Sequence, residues 1–65
     1  MMFAIEGLHN QSATWVILSS GFDNKKTADA QLILFHESKA EWVAIWGVTV
    51  NKSHFSAMRI EKANT

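Results

Sequence analysis

The stretch TADAQLILFHESKAEWVAIW, residues 27–46, decides how this chain folds. It contains no glycine or proline and is rich in Ala, Leu, Gln, Glu and Lys, which lose little freedom in a helix. Thr27 reads as the N-cap, with Asp29 in the first turn where the helix dipole favours a carboxylate. Ala28, Leu32, Phe35, Trp42, Val43 and Trp46 fall on one stripe at helical spacing, interrupted by Lys39. Gly47 suits the left-handed residue that closes a helix, with Val48 packing back on Val43. These features predict one helix of about five turns. The rival is a β-hairpin with Gln31–His36 and Trp42–Val50 as strands, which would make the chain an all-β five-stranded small barrel. Its turn, Glu37-Ser38-Lys39-Ala40-Glu41, has no favoured turn residue except Ser, so the helix is preferred.

Upstream, Met2–Leu8 and Ala13–Ser19 read as strands joined across the polar loop His9-Asn10-Gln11-Ser12. In the second strand Trp15 and Ile17 point one way, and Thr14, Val16 and Leu18 the other. Ser19-Ser20-Gly21 breaks the pattern, and Phe22–Lys26 reads as a loop. Downstream, His54–Glu61 alternates, but Phe55-x-x-Met58 spoils the period of two, which predicts a bulge or a strand covered on both faces. The fold class expected is α+β: a small antiparallel sheet with one helix across it, in the order β-β-α-β.

At 65 residues the chain has room for one domain, near the lower size limit for folding alone. Without cysteine, neither disulfides nor thiolate metal sites reinforce it. Apolar content is high at 48%, and the expectation is that Trp15, Trp42 and Trp46 dominate the core. Six basic and six acidic residues cancel, whereas a dedicated nucleic-acid binder carries a clear positive excess. No apolar run approaches a membrane span, and the opening Met-Met-Phe-Ala-Ile lacks the basic flank of a signal peptide, so the default location is the cytoplasm.

Catalytic signals are weak. His36-Glu37 begins like a zinc-protease helix, but Ala40 stands where the second histidine belongs. His9 and His54 are too far apart in sequence to imply a metal site unless folding gathers them. Gly7, Gly21 and Gly47 are isolated and read as turn or cap residues, not a phosphate loop. The expectation is therefore a protein that is not an enzyme and needs no cofactor or metal.

What remains is surface. On a five-turn helix, Leu34 and Ile45 lie on the flank away from the sheet, where a partner or a second copy would meet them. On the final strand Arg59 and Lys62, with Lys52 and His54 at the preceding turn, offer polar contacts, and Arg is favoured at interfaces for its bidentate fork.

Two strands, a helix opened by Thr27-Ala28-Asp29-Ala30 and closed by Trp46-Gly47, then a strand carrying Ala57-Met58-Arg59-Ile60-Glu61, resembles the layout of small phage inhibitors. These include some type I anti-CRISPR proteins and the short RNA polymerase inhibitor of T-odd phages. The resemblance implies a phage or mobile-element protein in the host cytoplasm that sterically blocks a host protein complex, such as a CRISPR effector or the transcription machinery. It also implies that basic residues of the last strand, here Arg59, meet the target. The alternatives are a single-stranded nucleic-acid module, in which Lys25, Lys26, Lys52 and Arg59 track the backbone beside stacking aromatics, and a structural homodimer.

Overall fold

The computed structural model describes residues 2–63. Its elements run β1 (Met2–His9), β2 (Trp15–Phe22), α1 (Lys25–Glu37), β3 (Trp42–Ile45), β4 (Val48–Asn51), a 3₁₀ turn (Lys52–His54) and β5 (Phe55–Ala63). The fold is α+β, as the sequence leads one to expect. Strands β2-β1-β5 form one antiparallel sheet with β1 in the centre, β3 and β4 form a separate antiparallel pair, and no closed barrel forms among the described residues.

The helix differs from expectation at both ends. It begins earlier, because Asn24 is the cap: its Oδ1 accepts from the Thr27 backbone N–H at 2.9 Å and from the Thr27 hydroxyl at 3.0 Å. It stops at Glu37, where Ser38 turns extended and donates its N–H to Leu34 O. The Ser38 hydroxyl accepts from Ala40 N at 3.2 Å, and Lys52 Nζ donates to Ser38 O at 2.5 Å. A cation thus sits on the helix C-terminus, where the dipole favours it.

Beyond it, Trp42–Asn51 folds on itself as a hairpin. Ile45 pairs with Val48 across a two-residue turn, and both turn residues, Trp46 (φ 45) and Gly47 (φ 82), are left-handed. Two positive φ values match the twist of a tight hairpin, but the usual residue in the first place is Asn or Asp. A tryptophan there costs about 1–2 kcal/mol of backbone strain. Its ring stacks on Phe22, centroids 4.1 Å apart, which offsets part of that cost.

The core joins Ile5, Phe22, Ala28, Phe35, Ile45 and Val50, so both strands of the hairpin contribute to it. Phe55, Met58 and Ile60 of β5 pack on this cluster. The tryptophans do not dominate the interior: Trp15, Trp42 and Trp46 all remain substantially exposed. The irregularity foreseen in the last strand is a bulge. His9 pairs with Phe55 and Leu8 with Ala57, so Ser56 is skipped and Phe55 and Met58 turn to the same side.

Two glycines have roles other than turn or cap. Gly21 (φ 89) is the skipped residue of a bulge between the pairs Phe3↔Phe22 and Ala4↔Ser20, so β2 continues to Phe22 where a loop was expected. Gly7 lies mid-strand in β1 and is buried; a Cβ there would meet Phe55 Cδ1 at 2.6 Å and Leu18 Cδ1 at 2.9 Å. Its missing side chain is what lets Phe55 lie against the central strand. Gly7→Ala is expected to destabilise the domain by about 1–3 kcal/mol through overpacking. A thermal melt checks this, and an unchanged or raised midpoint contradicts it.

Candidate functional site

The helix packs on the face of the sheet carrying Ile5; on the other face Ala4 is buried, but the sheet is open at Trp15 and Ile17. There Glu6 is flanked by Ile17 of β2 and Arg59 of β5, and Leu8 by Trp15 and Ala57. The alternation read in β2 places Trp15 and Ile17 together on this side. Both are exposed, Ile17 at 62%.

Arg59 is the most constrained polar group on this face. Its Nε donates to Glu6 Oε1 at 2.7 Å and lies 3.5 Å from Glu61 Oε1. Its guanidinium carbon sits 4.0 Å from the Trp15 ring centroid, a cation–π stack. A partly exposed ion pair and an exposed cation–π contact each contribute about 1 kcal/mol or less. Their consequence is orientation more than stability. With Nε held by Glu6 and the plane held by Trp15, the two terminal nitrogens make no hydrogen bond among the described residues. A pre-positioned fork of donors is left beside an indole and an isoleucine.

The other residues singled out from the sequence do not join this face. Lys62 pairs with Phe3, which puts it on the opposite side of the sheet from Arg59. Lys52 is committed to the helix C-terminus, with Nζ also 5.5 Å above the Phe35 ring. Leu34 is exposed on the helix, as expected. Ile45 is not: it lies in β3 with no exposed surface, so the helix-flank contact surface built from Leu34 and Ile45 does not exist. Lys25 and Lys26 begin the helix, on the far side of the sheet from Arg59, so these cations do not line one track.

Folding does gather two histidines. Asn10 N donates to His54 O at 2.9 Å and Asn10 Nδ2 to Ser53 O at 2.6 Å, which ties the β1–β2 loop to the 3₁₀ turn. His9, Asn10, Gln11, Ser53 and His54 line a cleft of about 330 Å³. The two imidazoles lie 6.3 Å apart between centroids, with His9 edge-on to Phe55 and Trp42 edge-on to His54. His9 Nδ1 accepts from Gln11 N at 3.3 Å, so one of the four ring nitrogens is already used. Among the described residues no group of three or more His, Cys, Asp or Glu is placed to hold a metal ion. The cleft is therefore two imidazoles among amides and hydroxyls, short of a full ligand set.

Trp15, Ile17 and Glu6 are the site residues that sequence reasoning missed. The period-two alternation of β2 already pairs Trp15 with Ile17, but nothing in the sequence says which side of β2 the helix covers.

No protein-family model, curated protein or solved structure is significantly similar to the chain. Among the described residues no helix is long and apolar enough to cross a membrane.

Proposed function

We propose that this protein is a non-enzymatic binding domain that acts by occupying a surface of another protein through the open face of its sheet. The observation that carries the reading is the anchored Arg59. An arginine stacked on Trp15, fixed at Nε by Glu6 and free at its terminal nitrogens, beside the exposed Ile17, is the combination that dominates protein–protein affinity. Ordering that side chain in advance removes part of the entropic cost of binding. Phosphate is the poorer match for this face, because Glu6 and Glu61 both flank Arg59 and leave one net negative charge.

The kind of partner follows from the resemblance to small phage inhibitors: a host protein complex, such as a CRISPR effector or other defence or transcription machinery, blocked sterically in the cytoplasm. Trp46-Gly47 is a hairpin turn and not a helix end, so that resemblance retains the size, the first two strands, the helix and the Arg59-bearing last strand. The test is capture of partners from bacterial lysate on the tagged full chain, with and without nuclease, at physiological salt. One stoichiometric protein complex that survives nuclease supports the proposal. Recovery of nucleic acid, or of partners that vanish with nuclease, overturns it in favour of a nucleic-acid module.

A further inference from the structure

We infer that two copies of the chain pair through the free edge of β2, joining their sheets into one six-stranded antiparallel sheet. β2 is an outer strand in the order β2-β1-β5, so one edge of its backbone is hydrogen-bonded to no other strand, and the second hairpin reaches β2 at Phe22, the end away from Val16. Unpaired N–H and C=O groups in a row accept one kind of occupant readily, another extended strand. The side chains say which strand. Trp15–Phe22 contains no charged residue and no proline, the usual guards of an exposed edge. The other outer strand, β5, carries Arg59, Glu61 and Lys62.

Apolar side chains are exposed on both faces of β2: Trp15 and Ile17 on the open face, Val16 on the helix side. A single covering layer would account for one face only, whereas a strand added at the edge extends both. Two copies of β2 paired antiparallel about Val16 set Trp15 of each copy opposite Ile17 of the other. That aromatic and β-branched pair is favourable and occurs twice by symmetry. No like charges are brought together. The bulges at Leu18 and Gly21 bend the later part of β2, which confines the pairing to the segment around Val16. So short a contact makes the dimer weak and dependent on concentration. The two-fold axis stands perpendicular to the sheet, so both Arg59–Trp15 pairs end on the same open face.

This inference does not rest on the proposed function, since the mass of the free protein tests it with no partner present. Sedimentation equilibrium of the full chain from micromolar to millimolar concentration is expected to show a mass rising from 7.3 kDa toward twice that value. Ile17→Lys, at an exposed position, is expected to hold the mass at the monomer value with an unchanged far-ultraviolet circular dichroism spectrum. Ile33→Lys, equally exposed but on the helix, leaves the dimer intact. A wild-type mass fixed at the monomer overturns the inference, as does an Ile17→Lys protein that still dimerises. A ladder of larger oligomers, or loss of the dimer in Ile33→Lys, overturns it as well.

Discussion

Ile45→Glu is expected to leave the chain unfolded at 25 °C. Ile45 has no exposed surface and joins Phe22, Phe35 and Val50 in the core formed by the described residues. Placing a carboxylate among these apolar side chains costs several kcal/mol even after the surroundings relax, and Lys52, the cation over Phe35, already donates to Ser38 O. A domain of this size has about 3–5 kcal/mol in total to lose. The readout is a far-ultraviolet circular dichroism spectrum without native signal and no cooperative melt. On a helix flank, where the sequence alone places Ile45, the same change would leave a folded and more soluble protein. The outcome therefore discriminates directly between the two placements.

Phe22→Ala is the second large effect, expected at about 3–5 kcal/mol. Phe22 is fully buried, closes β2 after the Gly21 bulge, and carries the Trp46 ring. Truncation opens a cavity between sheet and helix and also removes the surface that holds Trp46 in a left-handed conformation. The midpoint of chemical denaturation is expected to fall to near zero denaturant, with the emission of Trp46 shifting red as its ring loses its support. A protein that keeps its midpoint would mean that the hairpin is held without Phe22.

These two residues also mark the border of what the sequence discloses. Patterns carried by neighbours in the chain were legible: the first hairpin, the alternation of Trp15 to Leu18, the bulge hidden in Phe55-x-x-Met58, and an α+β arrangement with one helix. The second hairpin was not. Trp42, Val43 and Trp46 continue the helical stripe of Ala28, Leu32 and Phe35, and Ala, Glu and Lys around them raise no objection to a helix. Trp46-Gly47 lacks the Asn or Asp that announces a two-residue turn. What decides against the helix is tertiary: Phe22, more than twenty residues earlier, supports the strained tryptophan, and Lys52 caps the helix that stops at Glu37. The same holds for the site. Arg59 was visible as a polar residue of the last strand, but its stack on Trp15 and its bond to Glu6 exist only because β1 lies between β2 and β5.

The most direct test of the account compares partner capture by three proteins: wild type, Arg59→Ala and Lys62→Ala. Both substitutions are on β5, but Arg59 faces the open side of the sheet and Lys62 the other. A hot-spot arginine contributes about 2 kcal/mol or more, roughly thirtyfold in affinity. The prediction is loss of that order for Arg59→Ala, with the native circular dichroism spectrum kept, and capture by Lys62→Ala indistinguishable from wild type. Undiminished capture by Arg59→Ala, or an equal loss in both variants, would contradict a binding surface centred on the Trp15–Arg59 pair.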